Sequence, residues 1–154
     1  MDTPYARIAC CIDRDGEDDH VLREGARLAG GDAFDVVHVV APPRSFPAGP
    51  FAYVAPLVET SDAAREWLDG IAAGFPGATP VLLDGDPARE ICAWARANGV
   101  DLIVAAARRG LVERALLGGF AAYIAYHAAC SVLLVHPVPG DDPAVQAPTE
   151  GAVA

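Results

Sequence analysis

Short, unbroken apolar runs alternate along this chain with segments whose apolar residues recur every third and fourth position, a pattern that few folds satisfy. Ile8 to Ile12 predicts a first strand that ends at Asp13. Val21, Leu22, Gly25, Leu28 and Ala29 follow at helical spacing, and Gly30-Gly31 stops that helix. Phe34 to Val40 is a second strand. A helix beginning near Thr60 carries Trp67, Leu68 and Ile71 to about Ala73, and residues 78–83 form a third strand. Asp86 suits an N-cap and Pro87 a first helical position; Ile91, Trp94 and Ala95 then give a buried face, and Asn98-Gly99 a stop. Leu102 to Ala106 is a fourth strand. Leu116, Leu117, Phe120, Ile124 and Ala128 return to helical spacing before the last β-type run, Val132 to Val135.

Strands alternating with helices require a parallel sheet covered on both faces, so the fold class is α/β and Rossmann-like, with five strands. The runs at 8–12, 36–40, 102–106 and 132–135 read as strands buried on both sides. Ligands of such sheets sit at the carboxyl ends of the strands, where the strand order reverses. That directs attention to Asp13, to the segment after Val40 and to the loop after Ala106. Residues 41–58 hold five prolines with Phe46, Phe51 and Tyr53, too broken for regular structure, and are expected to fold back on the sheet. Residues 1–137 are read as one domain and 138–154, rich in Pro, Ala and acids, as a flexible tail.

Composition narrows the function. The chain has 154 residues, 53% of them hydrophobic, enough for one sizeable core. Its net charge is −10, so most of its surface would repel nucleic acid. It has no lysine, which excludes a phosphate loop ending in Gly-Lys-Ser/Thr. Ala115 to Gly140 carries no Asp, Glu, Lys or Arg and is long enough to cross a bilayer. Gly118-Gly119, His127 and the change from helical to strand pattern instead make it a helix followed by a strand, with no membrane role. Met1 to Arg7 lacks an apolar signal region, and a cytoplasmic location is expected. Cys10, Cys11, Cys92 and Cys130 show neither C-x-x-C nor zinc spacing and are read as buried small hydrophobes, with Cys10 and Cys11 on opposite faces.

Catalytic signatures are absent from the pattern. His20, His38, His127 and His136 are scattered, and no serine sits in a G-x-S-x-G elbow. Asp15, Asp18 and Asp19 lack the glycine and distal Glu of a calcium loop, so no metal site is expected. His38 and His136 are read as structural or interfacial, and His127 as a helix-end residue suited to the dipole.

Four segments together resemble the universal stress protein family over roughly residues 6–137. Ile8-Ala9-Cys10-Cys11-Ile12-Asp13 is similar to its first strand with a terminal Asp, and Val36-Val37-His38-Val39-Val40 to its second. Gly85-Asp86-Pro87-Ala88 with Ile91 resembles its Gly-x-Pro-Ala-x-x-Ile turn. Asp101-Leu102-Ile103-Val104, then Leu116-Leu117-Gly118, then His127 through Val135 match its C-terminal signature. The resemblance implies an adenine nucleotide alpha-hydrolase-like fold, a non-enzymatic stress-response role and a homodimer formed through the last strand, with other protein partners unnamed.

It also implies a division between members that bind ATP and members that do not. Binders carry G-x2-G-x9-G-(S/T), in which glycines admit phosphate to backbone N–H groups at a helix N-terminus. Laid on that pattern, Ala105 and Arg108 replace the first two glycines, Gly118 is kept, and Gly119 replaces the hydroxyl residue. Arg108 either blocks the site or reaches a phosphate itself. Asp13, Asp15, Glu17, Asp18 and Asp19 stand around the first loop with only Arg14 to offset them, and would oppose a triphosphate. They are otherwise read as a solvated helix start. No cofactor is expected. The alternative is an ATP- or AMP-binding regulator whose divergent site uses Asp13, Val39, Ala105, Arg108, Gly118 and Gly119.

Overall fold

In the computed structural model of the chain, which describes residues 3–14, 16–42, 59–107 and 119–136, the buried runs pair side by side. The strands are β1 (Ile8–Cys11), β2 (Phe34–Val40), β3 (Ala78–Asp84), β4 (Leu102–Ala106) and β5 (Ser131–Val135). All pairings are parallel, in the order β3-β2-β1-β4-β5. The helices are α1 (Asp18–Ala29), α2 (Ser61–Ala73), α3 (Pro87–Ala97) and α4 (Gly119–His127). The chain therefore winds outward from β1 through β2 to β3, then returns to lay β4 against the other side of β1. Crossovers of one hand on opposite sides of β1 place α1 and α2 on one face, α3 and α4 on the other.

Two packed layers result. Cys10, Val36 and Val104 meet Val21 and Leu22 of α1 and Leu68 of α2. Cys11, Val37, Ile103 and Ala105 meet Ala88, Ile91 and Ala95 of α3 and Ile124 of α4. The adjacent cysteines of β1 thus face opposite layers, as period-two alternation requires. The helix ends follow local chemistry. Thr60 Oγ1 accepts from Ala63 N at 3.3 Å and Asp86 Oδ1 from Arg89 N at 3.1 Å. Gly30 closes α1 in the left-handed region, with φ 63°.

Two readings of the sequence change. The last apolar run is not buried on both sides: β5 is an edge strand, and Val132 to Val135 are half-buried. Cys10 and Cys11 are buried, but Cys92 and Cys130 are only half-buried, because they lie on α3 and just before the edge strand. The proline-rich stretch from 43 to 58 and the tail from 137 lie outside the described residues, as do Arg108 and Gly118. Among the described residues no helix is long and apolar enough to cross a membrane.

Helix α1 rests on β1 at one close approach. A β-carbon at Gly25 would overlap the Cys10 sulfur. Gly25→Ala should therefore destabilise the protein by about 1–3 kcal/mol in urea unfolding, although alanine favours helix. Combining it with Cys10→Ala should restore more than half of that loss; no restoration would mean that the contact does not limit the packing. Burial, aided by Asp35, also pushes the Cys10 thiol up to about 12. Its protonated form is thus favoured by folding. That contribution is complete below about pH 8.5, where an unfolded thiol begins to ionise, and is lost as pH rises toward the folded value. The melting temperature should fall more steeply between those limits in the native protein than in Cys10→Ala.

Candidate functional site

The strand order reverses between β1 and β4, whose following helices α1 and α4 depart to opposite faces, and this opens a crevice at their carboxyl ends. Val39 is buried near the end of β2, and Ala105 near the end of β4, both in the layer shared with α3 and α4. Ala105 lies beside Cys11, which also pairs with Val37. Asp13, exposed two residues past Cys11, stands over the strand between them. Three expected residues, Asp13, Val39 and Ala105, thus gather at adjoining strand ends. Gly119 opens α4 and is exposed, and a β-carbon built there would meet nothing within 4 Å. Its departure from Ser or Thr therefore relieves no crowding among the described residues. Arg108 and Gly118 are not among them.

The first loop holds the detail that the sequence reading lacked. Ile12 N donates to Val37 O at 3.0 Å, the last bond of the ladder there. The chain then turns, with Arg14 in the left-handed region at φ 71°, a conformation rarely adopted by a residue with a long side chain. The turn is held by Asp18, in the first turn of α1. Its Oδ1 accepts from Asp13 N at 3.0 Å and its Oδ2 from Arg14 N at 2.9 Å. Asp18 is 8% exposed. It is therefore no part of a solvated helix start, the reading given to all five acids: its carboxylate is an internal ligand of two backbone N–H groups. Charge-assisted bonds of this kind are roughly twice as strong as neutral ones.

The side chain of Arg14 points away from the crevice, onto the α2 layer. Its Nε stands 3.2 Å from Glu59 Oε1, one guanidinium nitrogen donates to Ala63 O at 3.0 Å, and the group lies 4.5 Å over the Trp67 ring. Arg14 Nε neutralises Oε1 at ion-pair distance without hydrogen-bond alignment, so that this buried oxygen has an ionic partner and no hydrogen bond. Glu59 Oε2 meets His38 Nε2 at 2.9 Å, while His38 Nδ1 meets Ile12 O at 2.9 Å. A carbonyl only accepts, so Nδ1 carries hydrogen, and the Nε2–Oε2 bond then requires one further proton between imidazole and carboxylate. Trp67 closes the group edge-on at 4.9 Å from His38. His38 is structural, as its strand position suggested. Its partner Glu59 lies 21 residues away and carried no sequence signal.

Such an arrangement anchors the start of α2 to the ends of β1 and β2. It offers no nucleophile beside an unoccupied base, because both imidazole nitrogens are engaged. Burial raises the thiols of Cys11, Cys92 and Cys130, so none is an activated thiolate. Among the described residues no group of three His, Cys, Asp or Glu is placed to hold a metal ion.

Comparison with known proteins agrees with this geometry. The chain is 38% identical over 58 residues to a universal stress protein of Methanothermobacter thermautotrophicus, a stretch covering 38% of this chain and 40% of that relative. Universal stress protein UspA from Lactobacillus plantarum superposes with a TM-score of 0.62 at 21% identity, covering 85% of this chain and 97% of that one. A universal stress protein from Archaeoglobus fulgidus, solved in complex with dAMP, gives 0.60 at 20% identity, covering 84% and 97%. At those identities the structural likeness shows the fold. The model of the universal stress protein family, however, matches residues 4–136, nearly the whole domain, and the chain belongs to that family.

Proposed function

We propose that this protein is a dimeric, non-enzymatic regulator of the universal stress type, acting through protein contacts and holding ATP weakly at most. The observation that carries the reading is the contrast between the two edges of the sheet. Gly85 N donates to Val40 O and Gly77 O accepts from Phe34 N, so odd-numbered residues of β3 face β2 and Pro80 faces outward. Proline has no N–H, and an outward proline blunts an edge against further pairing. At the other edge Ser131 N donates to Asp101 O and Val135 O accepts from Ala107 N. The N–H groups of Val132 and Leu134 therefore point away from β4 on a strand with neither proline nor charge. Beside it α4 carries no charged residue before His127, and its Tyr126 is 88% exposed.

Weak ATP binding is supported by the replacements at Ala105, Arg108 and Gly119, and by the engagement of Arg14 on the opposite layer. A second reading, an adenine-nucleotide regulator, is favoured by the dAMP complex of the Archaeoglobus fulgidus protein and by the gathering of Asp13, Val39 and Ala105.

Sedimentation at micromolar concentration should show a dimer. Leu134→Pro removes one outward N–H and no bond to β4, so it should yield a folded monomer; a folded variant that stays dimeric would overturn the edge assignment. Millimolar Mg-ATP should leave the melting temperature unchanged. The second reading instead requires a stabilisation of about 2.7 kcal/mol when AMP or ATP is a hundredfold above its dissociation constant.

A further inference from the structure

We propose that the seam between α3 and α4 is a docking site for an extended acidic segment of a partner protein, with Arg89 and Arg96 each taking one of two carboxylates three residues apart. The inference rests on the reading that the protein acts through protein contacts, and it names the chemistry of one such contact.

Charge is unevenly shared between the two faces of the sheet. Helices α1 and α2 together hold six acids against three arginines, whereas α3 and α4 hold one acid against two. In a chain of net charge −10, an anionic partner is therefore opposed least by the helices of the α3 and α4 side. The one acid there, Glu90, is folded back over the turn at Gly85, where its Cγ stands 2.8 Å from the place of a β-carbon. Asp86, just before α3, is taken up in capping that helix through Arg89 N.

The arginines of α3 are also uncommitted. Arg7, Arg14, Arg23 and Arg27 each stand within ion-pair distance of a carboxylate. Among the described residues the side chains of Arg89 and Arg96 have no such partner. Arg89, Cys92 and Arg96 follow at three and four residues and so make one row along α3. That row faces α4, because Arg89 lies 6.0 Å over the Tyr123 ring. Burial raises the Cys92 thiol and Arg96 draws it part of the way back, which places the second arginine over the same row. One turn further along α4, His127 stacks 4.2 Å from Tyr123. The seam thus has a half-buried floor, Cys92 and Tyr123, between exposed Arg89, Arg96 and His127. Arginine and tyrosine are the residue types that dominate binding energy at interfaces, and paired arginines are a common means of reading acidic motifs. Spacing then selects the partner. Seven helical residues set the two arginines about 10 Å apart. An extended chain covers that distance in three residues, at about 3.3 Å each, so adjacent carboxylates cannot serve both.

The test uses native protein and the double variant Arg89→Gln, Arg96→Gln, with blocked hexapeptides as probes. One peptide carries two aspartates three positions apart, one carries them adjacent, and one has asparagines in their place. Binding is read from the Nε–H resonances of the two arginines and the ring signals of Tyr123. The spaced peptide should move all three residues, and the double variant should bind it about fivefold more weakly. Equal binding of the adjacent or asparagine peptide, or an unchanged affinity in the folded double variant, overturns the proposal. So does a single-stranded oligonucleotide that binds the same residues more tightly than the spaced peptide. Sedimentation of both proteins separates this result from the dimer. A double variant that turns monomeric assigns the seam to a second copy of the chain and overturns the proposal. A native monomer that still binds the spaced peptide through the two arginines supports the seam and refutes the dimeric regulator.

Discussion

Everything in this domain is hung on β1. Its four residues, Ile8 to Cys11, are buried, bonded on one side to β2 and on the other to β4, and packed from above and below. A central strand of a doubly covered sheet has no solvent face, so its side chains must be apolar and their sizes must suit both layers at once. Cys10 fits beneath α1 only because Gly25 brings no side chain there, while Cys11 meets the layer of α3 and α4. At the amino end the same strand is secured by Asp101, whose carboxylate accepts from Ala6 N at 2.7 Å and Arg7 N at 3.0 Å. Arg7 in turn pairs with Asp35 of β2 at 3.0 Å. At the carboxyl end Asp18 performs the matching task. Carboxylates thus take up the main-chain N–H groups where the ladder stops at each end of β1.

The parts of the fold that depend on neighbours in sequence were legible without coordinates. Thr60, Asp86 with Pro87, and Gly30 mark helix ends through bonds that span three or four residues, and each stands where the pattern placed it. Strand boundaries agreed within one residue, because the apolar runs stop where burial stops. What failed depended on spatial order. The run at 132–135 is as apolar as that of β4, and nothing in composition separates an edge strand from a central one when its outer side awaits a partner. Asp18 was hidden for another reason. An Asp in a first helical turn ordinarily complements the dipole in water, and only the left-handed turn at Arg14 swings two earlier N–H groups onto it.

The site was legible to a similar degree. Asp13, Val39 and Ala105 stand at adjoining strand ends, a position that was legible because strand ends follow from strand limits and the switch point follows from topology. The polar group around Glu59 was not, since its members come from three separate segments: Arg14 after β1, His38 in β2, and Glu59 with Trp67 at α2. Side-chain networks of this kind need a fold before they have neighbours. Their sequence trace is one histidine in an otherwise apolar strand, and a buried imidazole requires polar partners whichever segment supplies them.

The two layers also divide the chemistry between them. Part of the charge on the α1 and α2 side is bound inward: Arg14 to Glu59, Glu59 to His38, Asp18 to the loop. The α3 and α4 side has aromatic and small residues, with Arg89 set 6.0 Å over Tyr123 and Tyr123 stacked 4.2 Å from His127. A ligand entering between β1 and β4 would therefore meet first-loop main-chain donors, at Asp13 and Arg14, that are already bonded to Asp18. Binding of a polyanion requires donors that are uncommitted before it arrives, since displacing an internal carboxylate forfeits two charge-assisted bonds. The open space at Gly119 supplies room without supplying such donors from a side chain.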